Sequence, residues 1–196
     1  PLTMMSGTEI LQETAALSEQ GHGMCVGYPV STATVRIIGI SDDVISEWSE
    51  DLALPQGEVG EIVAKGPMVT RSYLNRPEKT ALAKIYENEQ VWHRMGDLGY
   101  FDEKGRLWFC GRKSHRLETG SGTIPPVPQE NIFNTHPAVR RSALVGVGER
   151  GAEDASDDRG DDVREAVAEG KTDRNDPQRE PRAEVDCEQL GLVAEL

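Results

Sequence analysis

The chain has 196 residues with 34 acidic and 21 basic side chains, which gives a formal net charge of −13. It therefore offers no basic patch for a phosphate backbone, and nucleic acid is excluded as a partner. No apolar run approaches the length of a membrane span and the N-terminus has no basic-then-apolar signal, so we expect a soluble, cytoplasmic protein.

The composition changes along the chain. Residues 149–196 hold nearly half of the acidic residues but only a third of the basic ones, and every aromatic side chain lies at or before Phe133. A segment without large apolar side chains cannot offset its conformational entropy by burial, so residues 149–196 are predicted to be a disordered acidic tail. Cys25, Cys110 and Cys187 are too few and too scattered for a disulfide framework or a metal site.

Near the N-terminus, a loop of small residues ends in Thr8 and Glu9. Such a loop can place a hydroxyl beside a phosphate and a carboxylate beside its Mg²⁺, because hard cations prefer oxygen ligands. The same residues can instead open a helix that runs through Leu17, with Ser6 or Thr8 as the N-cap. The pattern by itself leaves both interpretations open.

Short segments rich in β-branched residues follow, separated by glycine turns, and they predict a small β-barrel or curled sheet. The predicted strands are residues 24–30, 34–38 and 61–65. Residues 75–80, with Pro77 beside Glu78, have the pattern of a helix start, and we expect this helix to run to about Ile85.

Residues 92–116 predict a hairpin around the turn Asp-Glu-Lys-Gly at 102–105. This hairpin would place Asp97 at the start of one strand and Arg112 at the end of its partner, side by side. Without further context, Asp97 is equally a turn or capping residue and Arg112 a surface ion-pair partner. Farther along, we predict a short helix at residues 128–134 and a strand at 139–147.

Four motifs in this part of the chain resemble those of the adenylate-forming superfamily of acyl-CoA synthetases, firefly luciferases and nonribosomal-peptide adenylation domains. They are GEVGEI at 57–62, SYLNRPEKT at 72–80, MGDLG at 95–99 and GRKS at 111–114. Four motifs in the right order are far more specific than one. Within the superfamily, LWFCGRKSHR at 107–116 and FNTHPAVRRSALV at 133–145 look like the β-lactone synthetases of bacterial long-chain olefin biosynthesis.

The resemblance implies a role for five residues. Thr8 matches the threonine that contacts the α-phosphate, and Glu9 matches the Mg²⁺ ligand. Asp97 matches the carboxylate that holds the ribose hydroxyls, and Arg112 matches the arginine on the ribose and phosphate side of ATP or AMP. Ser114 falls at the hinge about which the small C-terminal domain rotates between the two half-reactions.

The resemblance also implies an α+β fold in three parts. Residues 1–113 would form the C-terminal part of the large AMP-binding domain, a partial β-barrel subdomain with its hairpin. Residues 114–148 would begin the small C-terminal domain, and residues 149–196 would be the acidic tail. ATP and Mg²⁺ are the implied cofactors, and a fatty acid or 3-hydroxy fatty acid and other olefin-pathway enzymes are the implied partners.

The implied function is that of a fragment of an ATP-dependent ligase, which activates a 3-hydroxy fatty acid as acyl-AMP and cyclises it to a β-lactone. Two alternatives remain: a long-chain fatty acyl-CoA ligase, and an inactive truncated fragment that only binds nucleotide or a partner.

Several departures from the family pattern affect these expectations. Met5 and Ser6 stand where the family has an aromatic residue and a glycine, so stacking on adenine is expected to be weakened or lost. The upstream phosphate loop and most of the acyl pocket have no counterpart, and Lys171 lacks the surroundings of the C-terminal catalytic lysine. The abrupt change at Glu149 leads to the hypothesis of a shifted reading frame or a truncated terminus.

Overall fold

The computed structural model describes residues 1–146 and 192–195. Seven antiparallel strands form one curled half-barrel sheet, and four further strands form two small pairs. The strands are β1 (Thr3–Met4), β2 (Met24–Pro29), β3 (Thr34–Ile38), β4 (Gly60–Lys65), β5 (Lys84–Glu87), β6 (Gln90–Phe101), β7 (Leu107–Arg112), β8 (Leu117–Thr119), β9 (Gly122–Ile124), β10 (Arg141–Leu144) and β11 (Leu192–Glu195).

The half-barrel has the strand order β1-β2-β7-β6-β4-β3, with β5 paired to β6 beside this path. Its curl has a local cause, because the pairings of β2 with β7, β4 with β6 and β6 with β7 each contain a register shift. Such bulges bend a strand and increase its twist. The small pairs are β8 with β9 and β10 with β11.

The helices lie at the margins of the sheet. A helical segment over residues 7–22 alternates α-helical with π-helical turns, and it begins as one of the sequence interpretations predicted, with Ser6 Oγ accepting from the Glu9 amide at 3.1 Å. The helices are α1 (Gly7–Glu9), α2 (Ala15–Leu17), α3 (Pro77–Ala83) and α4 (Pro126–Phe133), with π-helical turns at Ile10–Thr14 and Ser18–His22 and 3₁₀ turns at Glu50–Leu52 and Lys113–His115.

The core lies on both faces of the sheet, which explains the adjacent apolar residues at positions 37–38 of β3 and 62–63 of β4. On one face, Val35, Ile37, Ile62 and Leu107 form a buried cluster. On the other, a second cluster packs against Trp48, whose ring stacks on Trp92 at 4.2 Å between centroids. The members of this second cluster are Ile38, Val63, Ile85 and Trp92.

Strand β4 also carries a carboxylate that is almost completely buried. Glu61 is 1% exposed, and its Oε2 accepts from Arg94 Nη2 of β6 at 2.7 Å. Arg94 is itself 4% exposed and also donates to the carbonyls of Ser41 and Asp43. The ion pair therefore fastens two neighbouring strands and the loop after β3 to one another.

The prediction that the second helix reaches Ile85 was wrong. Helix α3 ends at Ala83, and Lys84 and Ile85 belong to the short strand β5, which forms a hairpin with β6. Ile85 is completely buried in this arrangement, and Asn88 makes the turn with a φ of 53°. Burial of Ile85 against the sheet favours the extended conformation over another helical turn.

Other boundaries also differ from prediction. Asp97 lies well inside β6 rather than at the start of a strand, because β6 extends back to pair with β5. Helix α4 begins two residues before residue 128, and β10 is shorter than residues 139–147, of which Val147 lies outside the described part.

The expected disorder of residues 149–196 does not hold at residues 192–195. These residues form β11, which pairs with the exposed edge of β10 and satisfies its backbone groups. Cys187, Lys171 and the rest of that segment lie outside the described residues.

Replacement of Glu61 by Ala tests the importance of the buried carboxylate. This substitution leaves Arg94 buried without its counter-ion, and we expect a loss of about 3–5 kcal/mol in the free energy of unfolding. Denaturant unfolding followed by circular dichroism measures it.

The matched control is Glu58→Ala, which removes an exposed carboxylate from the turn before β4 and should change stability by no more than about 0.5 kcal/mol. Equal losses in the two variants would contradict a special role for Glu61.

Candidate functional site

The β6–β7 hairpin is held at its turn by Asp102. Its Oδ1 accepts from the amides of Lys104 at 3.0 Å and Arg106 at 2.8 Å, and its Oδ2 accepts from Trp108 Nε1 at 2.9 Å. Arg106 Nε also donates to Oδ2 at 2.6 Å. Burial opposes ionisation, but the hydrogen bonds from Trp108 and Arg106 hold the pKa of Asp102 below its ordinary value. The turn is therefore rigid and fixes the register of the two strands.

That register places Asp97 directly opposite Arg112, as the sequence predicted. Arg112 Nη1 lies 2.9 Å from Asp97 Oδ1, with the Arg112 side chain 59% exposed and that of Asp97 17% exposed. Just before Asp97, the backbone of Gly96 has a φ of +68°, which lies in the left-handed region that favours glycine. The carboxylate thus lies below the surface while the guanidinium extends into solvent.

Asp97 retains unused hydrogen-bonding capacity. Its Oδ1 is buried and, despite the close charge of Arg112, receives no hydrogen bond of good geometry. Burial raises the pKa of Asp97, and the neighbouring Arg112 offsets only part of that increase. A buried carboxylate oxygen without a well-aligned hydrogen bond costs free energy, and a hydroxyl donor from a ligand would supply one.

Thr8 and Glu9 lie elsewhere. Thr8 is exposed on α1, and the Glu9 carboxylate accepts from Tyr28 Oη at 2.9 Å and lies 3.5 Å from Arg106 Nη1. Arg106 precedes β7 and Arg112 ends it, so Glu9 makes its contacts at the opposite end of this strand from Arg112. The structure therefore brings Asp97 and Arg112 together but does not bring Thr8 and Glu9 to them.

Ser114, the predicted hinge residue, lies exposed in a 3₁₀ turn directly after β7. The residue before it is anchored, since Lys113 Nζ donates to the Ser41 carbonyl at 2.7 Å and to Glu61 Oε2 at 3.2 Å. On the other side, Arg116 Nη2 pairs with Asp42 Oδ2 at 2.7 Å.

Sequence reasoning missed this anchoring network. The available signal was Glu61 itself, a charged residue directly before the apolar residues 62–64 of its strand, since a buried residue of this kind requires a charged partner. The sequence did not indicate that Arg94 and Lys113 are those partners.

The arrangement suits a polar ligand with hydroxyl groups and negative charge beside the end of the hairpin. Asp97 can accept hydrogen bonds and Arg112 can oppose negative charge. Within the described residues, no group of three or more His, Cys, Asp or Glu side chains could hold a metal ion. The helices of that same part are too short or too polar to cross a membrane.

Comparison with known proteins finds relatives of the kind that the sequence motifs indicated. The olefin beta-lactone synthetase of Stenotrophomonas maltophilia (strain K279a) is 50% identical over 158 residues, which cover 78% of this chain and 28% of that protein. The protein of the same name from Xanthomonas campestris pv. campestris is 51% identical over 156 residues, with 77% and 28% covered. The 4-chlorobenzoate–CoA ligase of an Arthrobacter species is 41% identical over 130 residues, with 65% and 22% covered. The chain thus spans about a quarter of the length of these relatives.

Solved structures agree with this grouping. The o-succinylbenzoate coenzyme A synthetase of Bacillus subtilis, in complex with ATP and magnesium ion, superposes with a TM-score of 0.57 at 25% identity, covering 76% of this chain and 27% of that one. No family model matches the chain. The order of the four motifs, the half-barrel with its hairpin and the names of the relatives lead to one conclusion: the chain belongs to the adenylate-forming superfamily.

Proposed function

We propose that this chain is part of an ATP-dependent, AMP-forming ligase and supplies the wall of its site that binds the nucleotide ribose. The observation that carries the proposal is the Asp97 carboxylate, whose buried Oδ1 lies 2.9 Å from the exposed guanidinium of Arg112 without receiving an aligned hydrogen bond from it. A ribose offers two adjacent hydroxyl donors, and the attached phosphate suits the arginine.

We also propose the division of the chain that the family resemblance implies. Residues 1–113 would be the C-terminal part of the large AMP-binding domain, and residues 114–148 the start of the small domain after hinge residue Ser114. The exposed turn at Ser114, directly after β7, supports this boundary. Because the chain spans about a quarter of its relatives, activity would require the parts that complete the site.

Thr8 and Glu9 are proposed to face the α-phosphate and Mg²⁺, respectively, in the complete protein. The helical segment over residues 7–22 would then have to lie closer to Asp97 than it does in this structure, in which Glu9 contacts Arg106 at the far end of β7. Magnesium commonly takes one or two protein carboxylates together with substrate phosphates, so one glutamate is a sufficient protein contribution. Glu9 would have to exchange its contacts with Tyr28 and Arg106 for the metal. Bound Mg²⁺ would offset the charge of the phosphates, and ATP would be the nucleotide.

The proposed reaction has two steps. The substrate carboxylate attacks the α-phosphate of ATP, and the bond to pyrophosphate breaks, which gives acyl-AMP. The 3-hydroxyl of the same substrate then attacks the acyl carbon, loses its proton, closes a four-membered β-lactone ring and releases AMP. Because nucleophile and acyl group belong to one molecule, the second step gains up to about 7–11 kcal/mol from proximity in favourable cases.

The relatives support a 3-hydroxy fatty acid as substrate more than a simple fatty acid. The proteins named olefin beta-lactone synthetase are 50% and 51% identical over more than three quarters of the chain, whereas the 4-chlorobenzoate–CoA ligase is 41% identical over less of it. A fatty acyl-CoA ligase remains the second candidate. Product analysis of the complete protein with a 3-hydroxy fatty acid, with and without CoA, separates the two.

The ribose contact can be tested with calorimetry and two nucleotides. For the unaltered chain, we expect AMP to bind about 10- to 100-fold more tightly than 2′,3′-dideoxy-AMP, because hydrogen bonds to a carboxylate contribute about 1.5–3 kcal/mol. Asp97→Asn should bind AMP more weakly and lose most of this discrimination.

The control for this test is Asp51→Asn, which makes the same change of charge at an exposed 3₁₀ turn and should behave as the unaltered chain. Equal binding of both nucleotides by the unaltered chain would refute the ribose assignment.

Binding should also depend on pH through Asp97. The ionised carboxylate accepts hydrogen bonds and the protonated one loses that capacity, so affinity falls as pH decreases through the pKa of Asp97. Since burial raises this pKa, the decrease should begin above the ordinary aspartate value of 3.8. Titration with adenosine, which has no phosphate, should show this decrease in the unaltered chain and not in Asp97→Asn.

We expect no ATP–pyrophosphate exchange from these 196 residues alone, with or without a 3-hydroxy fatty acid. The reason is that a wall for ribose cannot by itself bring the carboxylate to the α-phosphate. A radiolabelled exchange assay measures this, with a full-length relative as the positive control. Exchange clearly above background would show that the chain contains a complete site.

A further inference from the structure

The two oxygens of one exposed carboxylate bridge the residues on either side of Ser114. Asp42 Oδ2 lies 2.7 Å from Arg116 Nη2, and its Oδ1 lies 3.8 Å from Lys113 Nζ. Asp42 comes from the loop after β3, more than seventy positions earlier in the chain. A single side chain from a distant loop therefore spans the turn at residues 113–116.

The two cations that Asp42 contacts differ in how firmly the rest of the molecule holds them. Lys113 is tied to the sheet by the buried Glu61 and by the Ser41 carbonyl, so it belongs to the half-barrel. Arg116 contacts Glu118 of β8 and donates to the Lys113 carbonyl at 2.8 Å. The contact with Asp42 joins the Arg116 side chain to the loop after β3.

We propose that Asp42 is a positioning residue for the proposed hinge, fixing the orientation of the chain after Ser114 relative to the half-barrel. The inference rests on the proposed role of Ser114 as a hinge. Rotation about Ser114 can leave Lys113 in place, but it must break the contact of Arg116 with Asp42. This ion pair then stabilises one of the two orientations and is released in the other.

The accessibility of Asp42 is consistent with a contact that forms and breaks. Its side chain is 58% exposed, so water can solvate the carboxylate when the contact breaks, and Arg116, which is 6% exposed, keeps Glu118 and the Lys113 carbonyl as partners. Glu61, in contrast, is buried and cannot release its cations without leaving charges unpaired. The fixed and the releasable contacts of the turn are thus held by different carboxylates.

Amide hydrogen–deuterium exchange of the whole chain, read by mass spectrometry, tests the proposal. In Asp42→Ala, exchange over residues 113–119 should accelerate about two- to fivefold, as expected for loss of a partly exposed ion pair. Exchange in β4 and β6 and the melting temperature should remain unchanged. Asp42→Glu keeps the carboxylate and should retain slower exchange than Asp42→Ala.

Asp43→Ala is the matched control, since Asp43 is the exposed next residue of the same loop and makes its hydrogen bonds to Ser41 and Arg94 through its backbone. The proposal is overturned if Asp42→Ala exchanges like the unaltered chain, if Asp43→Ala accelerates exchange equally, or if Asp42→Glu is no better than Asp42→Ala. The measurement needs no nucleotide, so failure of the chain to bind AMP would count against the proposed function alone.

Discussion

Glu61 carries a negative charge into the interior of the half-barrel, and two cations from separate parts of the chain neutralise it there. Arg94 arrives from β6 and Lys113 from the residue after β7. Because a buried charge without partners is costly, strand β4, strand β6, the loop after β3 and the end of the hairpin must keep one mutual arrangement. The position of Arg112 depends on this arrangement, because the next residue, Lys113, is one of the two cations that Glu61 holds.

Two aspartates of the same hairpin show how surroundings determine role. Asp102 accepts four hydrogen bonds at the turn, and its pKa is lowered, as expected for a structural carboxylate. Asp97 lies on the same strand pair with a buried oxygen that is close to the charge of Arg112 but receives no aligned hydrogen bond, and burial raises its pKa. A buried carboxylate with incomplete hydrogen bonding and a raised pKa is typical of a site in which a ligand supplies the missing hydrogen bonds.

The site is one wall rather than an enclosed pocket. Asp97 and Arg112 lie at the end of the hairpin far from its turn, whereas Glu9 lies near the turn, in contact with Tyr28 and Arg106. A nucleotide needs contacts with its base, ribose and phosphates on several sides, and in the proposed function the described residues contribute mainly the ribose side. This agrees with a chain that spans about a quarter of its relatives.

The sequence alone determined those features that depend on local chemistry. The strand at residues 34–38, the turn at 102–105 and the pairing of Asp97 with Arg112 follow from β-branched alternation and turn residues, and the ordered motifs determined the family. Only the tertiary structure decided four other features: the end of α3, strand β5, the pairing of β10 with residues 192–195 and the partners of Glu61. The physical reason is that each of these features depends on residues distant in sequence, about which local periodicity carries no information. These features are the burial of Ile85, the pairing of an exposed strand edge and the neutralisation of a buried charge.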